Sequence, residues 1–159
     1  MRNNCYREDD LLSDFGVFLQ KQGFIILSLS GNQQGRYWFQ IGKYRKAPDV
    51  IAVRKNIALV GEAKVRSRDL FRVQQNGMSD HKSLQYMLDN IESYIQLKDR
   101  ILSSLKNLNV SLTDALMLNA IVVGGDPFDA KNELLDKRIG AISVISDDFV
   151  MYNCESIFK

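Results

Sequence analysis

Three polar residues stand in the most strand-like part of the chain, and their types suit a hydrolytic centre. The segment "APDVIAVRKNIALVGEAKV", residues 47 to 65, sets Asp49, Glu62 and Lys64 among short apolar runs. Ionised groups in such company are costly to bury unless they have partners or a metal. Two carboxylates offer the oxygen ligands that Mg²⁺ prefers, and Mg²⁺ is commonly held by one or two of them with waters and a substrate phosphate. The backbone carbonyl of Ala63, between the acid and the lysine, would join them. A metal held there polarises a phosphate and acidifies a bound water. Lys64 beside it would orient or help deprotonate that water and stabilise charge on phosphorus. The plainer alternative is an exposed Glu62–Lys64 pair at a strand edge, with Asp49 merely opening a strand after Pro48.

Positioning these groups falls to a hairpin. The runs 49 to 54 and 57 to 65 read as strands separated by Lys55-Asn56. If those two residues form the whole loop, Arg54 faces Ile57 and partners obey i + j = 111. Asp49 then lies opposite Glu62, and alternation puts Lys64 on the same face. A slip of one residue would break this convergence.

Around the hairpin the pattern predicts a mixed sheet with helices on it. Residues 8 to 22 carry Leu11, Leu12, Phe15, Phe18 and Leu19 on one stripe, with acids in the first turn and Gly23 as the stop, so they form an amphipathic helix. Strands are expected over 24 to 30 and 37 to 42, with the loop "GNQQG" between them. A long helix is expected over 79 to 106, capped by Ser79, with an apolar stripe through Leu84, Leu88, Ile91, Ile95, Leu102 and Leu105. A buried strand over 115 to 125, a short helix over 126 to 139 and one or two closing strands over 140 to 153 follow. That order describes one α/β domain over residues 1 to 159.

Composition narrows the function classes. The 159 residues are 45% hydrophobic and 25% charged, ordinary for a soluble globular protein. No window resembles a membrane span or a signal peptide, so the expected location is the cytoplasm, with no membrane partner. Cys5 and Cys154 lack the spacing of a zinc site and are expected as free thiols. The net charge is only +2, but Arg36 to Arg72 holds ten basic residues against three acids, a local +7 that leaves −5 for the rest. Such a centre attracts polyanions, although a solvated charged face accounts for it equally. His81, the only histidine, is expected at the surface of a helix start, and its absence from the hairpin argues against histidine-dependent nuclease chemistry or a Ser-His triad.

Pro48-Asp49, a spacer of twelve residues, and Glu62-Ala63-Lys64 together resemble the motif of the PD-(D/E)XK nuclease superfamily. The resemblance covers roughly residues 6 to 125. It implies a restriction-endonuclease-like fold, a mixed central β-sheet flanked by α-helices with the motif on a hairpin. It also implies that Asp49 and Glu62 bind Mg²⁺, for which Mn²⁺ would substitute, and that Lys64 assists hydrolysis. Members often add an acid from the first helix. Glu8 fits best, one and two turns ahead of Leu12 and Phe15 on nearly the same face, with Asp9, Asp10 and Asp14 as competitors. Some relatives carry Gln and Tyr four residues apart on the helix after the motif. Here Gln85 is followed directly by Tyr86, and Asp89 takes the tyrosine's place, so the pattern departs from that subgroup. Gln85 remains a site candidate, sharing a helical face with Lys82 and Asp89.

Arg66, Arg68 and Arg72 after the motif, and Arg45 and Lys46 before it, are the expected nucleic-acid contacts. The expected activity is therefore metal-dependent hydrolysis of DNA by an endonuclease acting as a homodimer. The alternative is a catalytically silent nucleic-acid-binding or assembly subunit of the same fold.

Overall fold

A computed structural model of the chain describes residues 6–30, 36–74, 77–108, 115–128, 136–146 and 148–158. Its centre is a six-stranded mixed sheet in the order β1-β4-β5-β6-β7-β8. The strands are β1 (Ile25–Ser28), β4 (Val50–Arg54), β5 (Ile57–Lys64), β6 (Met117–Gly124), β7 (Ile139–Ile145) and β8 (Asp148–Tyr152). The β5-β6 and β6-β7 pairs run parallel, and the other three antiparallel. A separate two-stranded ribbon pairs β2 (Phe39–Ile41) with β3 (Tyr44–Lys46).

Alternation along β4 and β5 divides the core between the two sheet faces. Val50, Ala52, Leu59 and Ala63 pack with Leu11, Phe15 and Leu19 of helix α1 (Glu8–Lys21). Ile51, Val53, Ala58 and Val60 pack with Leu97, Ile101 and Leu105 on the opposite face. Helix α1 ends as its sequence predicts. Gly23 takes φ 87°, Phe24 N–H returns to Leu19 O and Gly23 N–H to Gln20 O, a Schellman closure that only glycine enters without strain.

The single helix expected over 79 to 106 is two helices, α2 (Asp80–Asp89) and α3 (Ile91–Asn107). Asn90 causes the break by competing for the helix backbone with its own amide. It sits at φ −116°, ψ 107°, and both its N–H and its Nδ2 donate to Tyr86 O, at 3.0 and 2.8 Å. The break re-phases the buried stripe. Leu97, Ile101 and Leu105 face the core, while Ile91 and Ile95 are 68% and 46% exposed. The strand expected over 37 to 42 is shorter, and β3 was not foreseen. Three-residue strands are too brief for a period-2 pattern to register. The helix expected over 126 to 139 falls largely on residues 129–135, outside the described residues.

Gly61 marks the tightest packing beside the hairpin. A Cβ there would lie 2.9 Å from Ile121 Cγ1 and 3.2 Å from Val50 Cβ. Gly61→Ala is expected to cost about 1–3 kcal/mol through overpacking, read as a lower urea midpoint with an unchanged m-value.

Candidate active site

The hairpin register is the one the two-residue loop predicts: Arg54 pairs with Ile57 and Val50 with Gly61. Lys55 adopts φ 55° to turn the chain. One step beyond Val50, Asp49 comes opposite Glu62, and two backbone donors tie the hairpin end. Asp49 N–H donates to Glu62 Oε1 at 3.1 Å, and Ala63 N–H donates to Asp49 Oδ2 at 3.0 Å. Ala63, named in the sequence for its carbonyl, fixes the Asp49 carboxylate with its N–H. Lys64, two residues beyond Glu62, extends from the same face of β5.

Two further residues complete the cluster, and neither belongs to the motif. Asp80, the first residue of α2, is 1% exposed. Its Oδ1 accepts from Gln74 Nε2 at 2.8 Å, and its Oδ2 lies 3.9 Å from Lys64 Nζ. Lys46, the last residue of β3, places Nζ 3.0 Å from Glu62 Oε2 and 2.8 Å from Asp80 Oδ1. Lys46 was expected to face DNA. Instead its side chain is only 16% exposed and its charge is spent inside the site. Ser79 caps α2 as expected, accepting from Lys82 N–H at 3.1 Å, and so aims the first turn and Asp80 at the hairpin.

Electrostatics mark these carboxylates as crowded. Burial, then the neighbouring Asp49 and Asp80 charges, push the Glu62 carboxyl well above its ordinary range, with Lys46 opposing. Asp49 is likewise raised, first by burial and then by Asp80, against the Ala63 N–H and the two lysines. Burial works against the Lys46 ammonium, but Glu62 and Asp80 outweigh it and hold its pKa above the usual lysine range. Glu8, at the start of α1, joins the rim: burial and Asp49 raise its carboxyl, and Lys64 lowers it. Four carboxylates therefore face two lysines. Perturbed groups such as Glu8, Asp49, Glu62 and Lys46 concentrate at functional sites.

Gln85 is not brought to the cluster. Its Nε2 donates to Asp136 Oδ2 at 3.3 Å, in a network where Arg138 binds Asp136 at 2.7 Å and Asp89 at 2.7 Å. His81, expected at the surface, is buried because α2 docks on the 3₁₀ turn Ser67–Phe71. Its ring lies 4.9 Å from that of Phe71, and its Nε2 faces Asp136 N–H at 3.4 Å. Burial holds the imidazole below its usual pKa, with Asp136 opposing. Arg66, Arg68 and Arg72 emerge exposed around the same turn, just past Lys64. Arg45 is exposed with its guanidinium over the Trp38 ring at 4.1 Å, and Arg100 stacks on that ring at 3.8 Å. A cleft of about 560 Å³ opens elsewhere, beside Ile26, Arg36, Arg100 and Ser103, and contains none of the carboxylates.

Sequence reasoning missed Asp80 and did not place Lys46 in the cluster that its Nζ joins. For Asp80 a signal existed, an acid next to the Ser79 cap in the first helix after the motif. That position ordinarily serves the helix dipole, so nothing local set it apart.

Among the described residues, no three His, Cys, Asp or Glu side chains stand in a ready-made metal-binding arrangement. The donor chemistry nevertheless fits a hard divalent cation. The acids offer oxygen only, and the buried Asp80 Oδ2 has no hydrogen-bond partner among the described residues. Among the described residues no helix is long and apolar enough to cross a membrane. No family model matches the chain, and neither any curated protein nor any solved structure matches it.

Proposed function

We propose that the chain is a Mg²⁺-dependent endonuclease that hydrolyses DNA phosphodiester bonds, with a restriction-endonuclease-like core of the PD-(D/E)XK type. One observation carries this reading: the hairpin register brings Asp49, Glu62 and Lys64 to one place at the sheet's end. Asp49 and Glu62 would hold the cation, with Mn²⁺ as a substitute and Glu8 at the rim. When bound, the ion polarises the scissile phosphate and acidifies a water. Lys64, 32% exposed at its side chain, reaches solvent where a phosphate would approach, and its ammonium neutralises charge building on the phosphoryl oxygens. The Ala63 N–H bond to Oδ2 keeps the Asp49 carboxylate from turning away, so orientation is set before substrate arrives. Severing both strands of a duplex takes two such centres, which a homodimer supplies.

Arg66, Arg68 and Arg72 would grip phosphates flanking the cut. Replacing all three by alanine is expected to weaken DNA binding regardless of sequence. The slope of log affinity against log salt should fall by about 0.9 per lost phosphate contact, measured by fluorescence anisotropy over a salt series.

A second reading, a nucleic-acid-binding or assembly subunit without chemistry, draws on the Lys46 ammonium, which already neutralises Glu62 and Asp80. Incubating the protein with plasmid, with and without Mg²⁺, separates the two. Metal-dependent nicking or linearisation supports the nuclease, and a mobility shift with intact plasmid supports the silent subunit.

A further inference from the structure

Lys46 is the most closely paired cation of the cluster. Its Nζ bridges Glu62 Oε2 and Asp80 Oδ1 at 3.0 and 2.8 Å, which joins β3, β5 and α2 at one point. A buried ammonium between two carboxylates does electrostatically what a metal ion does with oxygen ligands: it makes their proximity tolerable. Asp80 has capacity left over. It is 1% exposed, its Oδ2 lacks a hydrogen-bond partner among the described residues, and Lys64 Nζ at 3.9 Å is too distant to supply one.

We propose that Asp80 is a cation-binding residue of this chain, and that Lys46 is a tethered counter-ion which a divalent cation displaces from Glu62 and Asp80. The inference rests on the reading of the cluster as a metal-dependent hydrolytic site. A divalent ion and an ammonium cannot both occupy the same carboxylate oxygens at contact distance, because their charges repel and the oxygens' lone pairs are few. Lysine suits the exchange. Its charge rides on a flexible four-carbon stem, so the ammonium can move to solvent or to a DNA phosphate while β3 stays in place. The same side chain would then hold the cluster together without metal, set the metal concentration at which the site loads, and face DNA once it has.

The test is Mg²⁺ binding to the metal-stripped full chain, measured by calorimetry for the wild type, Lys46→Met and Asp80→Asn. Lys46→Met is expected to tighten binding about tenfold, and Asp80→Asn to weaken it about tenfold or more. Should Lys46→Met fail to fold, the wild type provides a second readout. The lysine ammonium resonance that is lost in Lys46→Arg should shift during a Mg²⁺ titration as it leaves the carboxylates. Affinities equal within twofold, or an unmoved Lys46 resonance in a protein that binds Mg²⁺ and cuts DNA, would overturn this inference alone. A wild type that binds no Mg²⁺ overturns both the inference and the nuclease reading.

Discussion

Replacing Lys64 by alanine is expected to lower Mg²⁺-dependent plasmid cleavage by about 10²–10³-fold, the usual cost of losing one preorganised stabiliser of transition-state charge. The fold should survive. Lys64 ends β5, is one-third exposed at its side chain, and its ion pair to Asp80 is long at 3.9 Å. Its loss leaves no buried donor unpaired, and long, partly exposed pairs contribute little to stability. DNA affinity should also persist, because the exposed Arg66, Arg68 and Arg72 carry the phosphate contacts. Single-turnover cleavage, a DNA-binding titration and a thermal melt on the same preparation separate the three effects. Undiminished cleavage would exclude Lys64 from the chemistry and with it the proposed mechanism.

Asp49→Asn is expected to separate catalysis from folding still more sharply. Asparagine keeps an oxygen to accept the Ala63 N–H and leaves the Asp49 N–H free to donate to Glu62, so the hairpin end stays tied. It removes one of the carboxylates that burial and Asp80 already drive towards protonation, relieving repulsion around Glu62. In metal-free buffer the melting temperature should therefore equal or exceed that of the wild type. Cleavage should fall by about 10²-fold or more, since a neutral amide is a poor partner for a hard cation. The rise in melting temperature that Mg²⁺ produces by binding the native state should shrink with it. A variant that melts well below the wild type yet still cuts would show Asp49 to be structural.

These expectations depend on a hairpin that was legible before any fold was known. Loop length, strand alternation and the positions of Asp49 and Glu62 all lie within residues 47 to 65, and the structure reproduces the pairing residue by residue. Helix α1 and the Ser79 cap were legible for the same reason, since each depends on groups a few residues apart. The long helix failed at Asn90, where a side chain outcompeted a periodicity that by itself runs on unbroken. Ile91 and Ile95 show the consequence, apolar residues placed in the stripe that the break turns towards solvent.

What the chain determines by itself is thus the local half of the site: two carboxylates set opposite one another and a lysine two residues further on the same face. Only tertiary structure decides that Lys46, at the end of a three-residue strand, and Asp80, 34 positions later, meet over Glu62. That meeting depends on where the β2-β3 ribbon sits against α3, secured by Ser93 Oγ donating to Gln40 O at 2.7 Å, and on where α2 begins. A charge written in sequence has no sign of its own in the energy of folding. Lys46 becomes an internal counter-ion instead of a surface contact because packing brings it to two carboxylates that burial has deprived of water.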